Sequence, residues 1–571
     1  MNSKRCLLYT VLITVTYYTL LVSFLDFRFW EGDDQAYELF ASGLANSLDF
    51  NYFPIFFGNY FEVLFFNYLK ILYSYEPNFS WFMAIAQSAC AMVFSFCVFF
   101  ILKQKKEPLL KLSYITFLIT FFVSFVTKIS FTVIPMIIAF PITILIGTKT
   151  RKTWPKIILI LVLYILALSI RGASFFVPYA LLVFYLFLKS INNRKQLFPN
   201  TTKYLLLIFI PLSIYLIKPN IDNQIINRET YKNFMLIGEQ GRIYKDYNST
   251  ELTKILNKSG ASLFELELLR NQIIFNQKTF SKKVNKINQA MNKVENLNFL
   301  NKLKRVHKEF FKKNNNTLAL IIILSFSLLL FQKRYMFTLL FTASFYLSII
   351  LLFSIKTPGQ YFVYPYLFIF TAVLFFETQF NSKLKDKQLI NILSIIIIAI
   401  CGRYQIMNLL PKKLNKSTQF KNEIKLLKVI PGTIQIIDED VFNSLYFGLK
   451  RAPIKPKLIT RGWRELGKNS VTFSVTNNLS QDMCENFLKN NVKLISNDYY
   501  AYLYTLLCQF REKSLCFKKD KRFTQFNYWN LVPFTTSCHN KIISNGSRVI
   551  KKSMPYFTKV FNSEMEIKPL R

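Results

Sequence analysis

Two adjacent carboxylates stand in the stretch Trp30-Glu31-Gly32-Asp33-Asp34-Gln35-Ala36-Tyr37, and a third acid follows in Tyr60-Phe61-Glu62. Grouped carboxylates can take a proton from an incoming hydroxyl or amine, or hold a divalent metal through oxygen ligands. Their setting singles these three out. The chain has 72 Lys+Arg against 32 Asp+Glu, a net charge of +40, yet eight acids fall between Asp26 and Glu76. Only Arg28 and Lys70 oppose them there. Three isolated cations elsewhere, Lys356, Arg171 and Lys128, are the counterparts that could meet an anionic substrate.

Each acid also has a plain structural reading. Gly32 breaks the chain and Asp33 suits a helix N-cap. Tyr37, Phe40, Ala41 and Leu44 follow at i, i+3, i+4 and i+7, which predicts a short amphipathic helix lying on a membrane. The stretch Ile55–Leu72 is strongly apolar but interrupted by Asn59, Glu62, Asn67 and Lys70. At helical spacing these four share one arc of roughly 140°. That predicts an interfacial helix with a single polar stripe bearing Glu62. The alternative for Glu62 is a solvated acid on the wet face, paired with Arg28 or Lys70.

The elements that must position these residues are membrane spans. Apolar runs recur along the first 400 positions, separated by Lys/Arg-rich patches. A span needs about 20 such residues, fewer in thin regions. Eleven candidates lie near 7–25, 79–102, 112–126, 131–148, 156–170, 175–188, 203–217, 317–331, 335–353, 361–376 and 389–401. The first follows Lys4 and Arg5 as a signal peptide would, but lacks a small-residue cleavage site and reads as a retained span.

Orientation follows from the basic residues of the short loops. With the N-terminus inside, the inner loops hold 19 Lys/Arg and the short outer loops hold five: Arg28, Lys70, Lys128, Arg171 and Lys356. All three acids then lie outside. So does a helical insertion at 218–316, with 19 basic and nine acidic residues, and a C-terminal segment at 402–571, with 29 and 12.

The C-terminal segment mixes element types and predicts a small α/β domain. Thr433–Ile437, Ser470–Val475 and Val492–Ile495 read as strands, and Asp482–Lys489 reads as a helix. Cys484, Cys508, Cys516 and Cys538 all lie there, allowing two disulfides in three pairings, or free thiols. Their spacing does not suit zinc, and His539 is the segment's only histidine. Cys6, Cys90, Cys97 and Cys401 fall in or beside spans and read as buried apolar residues. No P-loop, GxGxxG, internal repeat or nucleic-acid motif is present. The basic outer segments suit anionic head groups, or are simply a solvated surface.

One span, then Asp33-Asp34-x-x-Tyr37 opening a helix, then Tyr60-Phe61-Glu62 opening a second, resembles the C-type glycosyltransferase superfamily. The nearest branch is the aminoarabinose and protein-mannosyl transferases. A second element, Ser354-Ile355-Lys356-Thr357-Pro358-Gly359-Gln360-Tyr361 before Tyr364-Pro365, is similar to that branch's late Ser-x-x-Lys…Pro-x-Tyr-x-x-Pro element. The resemblance covers residues 1–400 in architecture and two short motifs in residues. It implies a polyprenyl-phosphate sugar donor, with Asp33 as catalytic base and Asp34 and Glu62 as its partners. Lys356, and with it Tyr361, would meet the lipid phosphate; Arg171 is a second candidate on physical grounds. The branch's Lys after that Glu is absent, since Val63 stands there, which departs from the aminoarabinose pattern.

The expectation is therefore a polytopic α-helical membrane protein, with a transferase-like body at 1–401 and an extracytoplasmic α/β domain at 402–571. It would move a sugar from a polyprenyl phosphate to a glycan, lipid or protein acceptor on the outer face of a bacterial inner membrane. Mg or Mn held by Asp33 and Glu62 is a further possibility, and nucleic acid is not an expected partner. A transporter or flippase, or a scaffold of an envelope complex, is the alternative. Against transport, the spans carry few acids and no inverted repeat.

Overall fold

The computed structural model describes residues 3–24, 28–29, 60–104, 106–147 and 154–191, short elements between 434 and 533, and isolated positions elsewhere. Among the described residues of the N-terminal part six helices have defined bounds: α1 (Ser3–Phe24), α2 (Tyr60–Tyr75), α3 (Trp81–Lys103), α4 (Pro108–Thr127), α5 (Val133–Gly147) and α6 (Trp154–Ile191). Two short strands, β1 (Arg28–Phe29) and β2 (Lys128–Ile129), pair in parallel.

Among the described residues two stretches are long and apolar enough to cross a membrane, 81–103 and 154–176; Pro108–Val123, Val133–Ile146 and Pro178–Phe187 are shorter apolar helices. The distribution of apolar surface is as informative as length. In α6, Ile157, Ile158, Leu161, Val162 and Ile165 are exposed, while Leu163, Tyr164, Ala167 and Leu168 are buried on the other side. In α1, Leu7, Leu8, Val11, Leu12 and Val15 are exposed, and Cys6, Tyr17 and Leu21 are buried. A helix that is apolar all round belongs in a large core or in lipid. Water would not tolerate these outward faces at low cost, whereas lipid does.

The helices expected near 7–25, 79–102, 112–126 and 131–148 all form. The paired expectation at 156–170 and 175–188 takes a more specific shape. The stretch α6 is two helices joined at Arg171, whose φ of −165° and ψ of 94° are extended rather than helical. The hydroxyls of Tyr164 and Tyr179 bond each other, and the Tyr164 and Phe175 rings lie 5.6 Å apart. A straight helix would separate positions 164 and 179 by about 22 Å. The chain therefore folds back at Arg171–Gly172 into a helical hairpin. This break also divides the apolar stretch 154–176, so the straight part of that span ends before Arg171.

Polar and aromatic contacts fix the packing. Thr14 and Ser95 share a 3.0 Å hydroxyl bond between α1 and α3, and the rings of Tyr17 and Phe94 stack at 4.5 Å. Gln87 on α3 donates to the Val126 carbonyl of α4 at 2.6 Å. Phe368, in the expected span 361–376, sits against Phe121, Phe122, Phe125 and Phe140 with centroids 5.4–6.1 Å apart. Tyr366, Ile369 and Val373 are buried beside it. Cys6, Cys90 and Cys97 are buried thiols outside any disulfide, as expected of apolar packing residues.

Within 203–217, 335–353, 361–376 and 389–401 every described position is helical. The span expected at 317–331, nearly all of the insertion 218–316 and the strand at 470–475 lie outside the described residues.

Beyond residue 430 the described elements form a five-stranded sheet in the order β6-β3-β7-β9-β8. Here β3 is Ile434–Ile437, β6 Lys457–Thr460, β7 Val492–Ile495, β8 Leu515–Lys519 and β9 Tyr528–Pro533. Strand β3 runs parallel to β6 and β7, and β9 runs antiparallel to β7 and β8. A separate antiparallel pair, β4 (Tyr446–Phe447) and β5 (Lys450–Arg451), lies between β3 and β6 in the chain. Helix α7 (Met483–Phe487) precedes β7. The strands at 434–437 and 492–495 and the helix between them match the sequence expectation. Of the three cysteine pairings, Cys484–Cys508 forms, with Cα atoms 5.4 Å apart.

Candidate functional site

Three chain segments converge at the end of the bundle that carries the α4–α5 connection. The first is the turn of α6. The break at Arg171 takes the Gly172 amide out of the helical ladder, and a buried amide must find another acceptor. It donates to Oε1 of Glu62 at 2.7 Å, across a sequence separation of 110.

The second segment is α2, which delivers that carboxylate. Glu62, Phe65, Phe66, Leu69 and Tyr73 form its buried face, and Glu62 is 2% exposed. Tyr60, Leu64, Tyr68, Ile71 and Tyr75 form the opposite, exposed face. The polar stripe is thus not a wet stripe. Glu62 lies at the centre of the buried arc, Asn67 is exposed and Lys70 is half-buried. The reading of Glu62 as a solvated acid is corrected: α2 packs against α6, and the turn supplies the acid with a hydrogen-bond donor.

The third segment is the β2–α5 loop. Ser130 starts α5, its carbonyl accepting from Val133 and Ile134 at 3.1 and 3.3 Å and its hydroxyl accepting from the Thr132 amide at 3.1 Å. This capping holds Phe131 and Thr132 under the turn of α6. Arg171 donates from Nη1 to the Thr132 hydroxyl. Its guanidinium carbon lies 4.5 Å from the Phe131 ring centroid, a cation–π contact. An arginine at the end of an apolar helix is costly unless partnered or at the interface. Here its partners are a hydroxyl and an aromatic face. Tyr215 completes the group: its ring packs on Phe176 at 5.2 Å, and it feels the charges of both Glu62 and Arg171.

Arg171 and Glu62, two residues singled out from sequence, are therefore brought together through Gly172. Asp33, Asp34, Lys356 and Tyr361 lie outside the described residues. Of the acidic loop itself, β1 is fixed beside β2, and Ala41 is helical and buried. Sequence reasoning missed Thr132, Phe131 and Tyr215. Thr132 and Phe131 read as the first turn of a span, where nothing marks them. Tyr215 had a usable signal, an aromatic three residues before Lys218 at a span's end, where tyrosines gather.

The site can receive an anion at Arg171. As a metal site it is poorly furnished by its described residues. Glu62 supplies one carboxylate with an oxygen already held by an amide, and no group of three His, Cys, Asp or Glu occurs among the described residues. Comparison with known proteins finds no matching family model, no matching characterised protein and no matching solved structure.

Proposed function

We propose that this chain is a multi-pass membrane glycosyltransferase that moves a sugar from a polyprenyl-phosphate donor to an acceptor outside the membrane. The observation that carries the reading is the joining of Glu62 and Arg171 at the bundle end where β1 and β2 pair. The chain leaves β1 for the acidic loop at that end. Asp33 follows Phe29 by four residues, a chain reach of at most about 14 Å.

In this reading Asp33 takes the proton of the acceptor hydroxyl as its oxygen attacks the anomeric carbon. The bond from that carbon to the phosphate oxygen breaks, with inversion, and the lipid phosphate leaves with the electron pair. Asp34 orients Asp33. Lys356, Arg171 and Tyr361 hold the phosphate, where charge-assisted bonds in a partly dry site are strong. In the same reading eleven spans, oriented by the basic inner loops, would leave the N-terminus inside and the segment 402–571 outside. The Cys484–Cys508 disulfide agrees with an oxidising compartment for that domain. A divalent metal, if used, would rest on Asp33 more than on Glu62.

The test is sugar transfer from polyprenyl-phosphate donors by the full chain in proteoliposomes. Asp33→Asn should abolish transfer while leaving the protein folded. Transfer that survives this change, or uptake of a solute in its place, overturns the reading.

A further inference from the structure

We infer that Glu62 is a positioning residue: it caps the second half of α6 from a distance and so fixes the turn from which Arg171 meets a phosphate head group. This rests on the reading of Arg171 as a phosphate contact. It differs from the expectation that Glu62 takes part in the chemistry.

The geometry separates the two roles. A general base must reach the proton it removes. The Glu62 carboxylate is instead buried, on a helix face it shares with Phe65, Phe66, Leu69 and Tyr73, with Oε1 bound to the Gly172 amide. The amide it serves is the one that the break at Arg171 released. A carboxylate at the start of a helix also meets the positive end of the helix dipole. The turn is then held at two adjacent residues. Glu62 holds the backbone of Gly172, while Thr132 and Phe131 hold the side chain of Arg171. Releasing either grip frees the guanidinium from its present direction. Tyr215, within reach of both charges, lies where it would sense the change.

The conservative variant decides the matter, because glutamine keeps an oxygen acceptor and loses the charge. Full-length protein in nanodiscs should be compared as wild type, Glu62→Gln, Glu62→Ala, Arg171→Ala and Glu62→Ala/Arg171→Ala. Amide exchange of peptides covering 168–180 reads the cap directly. Glu62→Ala should accelerate exchange there about tenfold or more, as loss of a cap does, with peptides of α3 unchanged. Glu62→Gln should stay within about threefold of wild type.

Binding of polyprenyl monophosphate reads the consequence. Glu62→Ala should weaken it, and the double variant should bind no worse than Arg171→Ala alone, since positions acting through one turn do not add. If Glu62→Gln exchanges and binds like Glu62→Ala, or if the two losses add, the positioning role is wrong. A wild type that fails to bind the probe removes the phosphate reading. The exchange data would then still decide the cap.

Discussion

The hydroxyls of Tyr164 and Tyr179 meet across the turn at Arg171, joining the two halves of one helical stretch. Phe175 stacks on Tyr179 at 4.8 Å and seals the same contact. This pairing is what makes α6 a hairpin, and the hairpin is what presents Arg171 at its tip. Tyr164→Phe and Tyr179→Phe should each lower stability by about 1 kcal/mol, the net worth of one hydrogen bond. The double variant should cost little more than the larger single, because the bond can be lost only once. Thermal unfolding in detergent, followed as the apparent Tm, checks this. Additive losses would refute the pairing.

A second prediction concerns the late chain. Phe368 lies among four phenylalanine rings of α4 and α5, so Phe368→Ala should cost about 3–5 kcal/mol, and Phe368→Leu less. The same unfolding measurement applies. A neutral Phe368→Ala would mean that the segment around 366–373 does not pack on the N-terminal helices.

The outer face of α2 makes a third. Tyr60, Leu64, Tyr68, Ile71 and Tyr75 are exposed on one side of a helix beside the site, an arrangement suited to the boundary between head groups and acyl chains. In brominated-lipid vesicles, Tyr68→Trp should add fluorescence that is quenched by bromines placed near the head groups. An added signal untouched by any bromine position would show that α2 does not meet lipid.

The fourth is redox. Peptide mapping without reductant should recover Cys484 linked to Cys508, while Cys6, Cys90 and Cys97 resist maleimide in the folded protein. Cys508→Ser should destabilise the region around the five-stranded sheet by about 3–4 kcal/mol, the closure entropy of a loop of this length. Limited proteolysis of that region would report it. Recovery of both cysteines as free thiols would contradict the pairing.

Periodicity and run length by themselves determined the helices at the start of the chain, the turn near Arg171, and the strands at 434–437 and 492–495. These follow from short-range physics: an apolar stretch of a given length has few stable conformations, and an arginine before a glycine interrupts one. The same reasoning picked out Glu62 and Arg171 as residues of unusual cost in their surroundings. It could not orient them. A helical wheel shows that α2 has one polar arc, but Glu62 has apolar neighbours on both sides, and lipid and protein core look alike to Phe65 and Leu64. Only packing of α2 against α6 decided that Glu62 turns inward. Only the break at Arg171 created the unpaired amide that makes a buried carboxylate tolerable there. The disulfide is the same case: spacing allowed three pairings, and the fold brought Cys484 beside Cys508. Sequence sets which groups need a partner, and tertiary structure decides which partner comes within bonding distance.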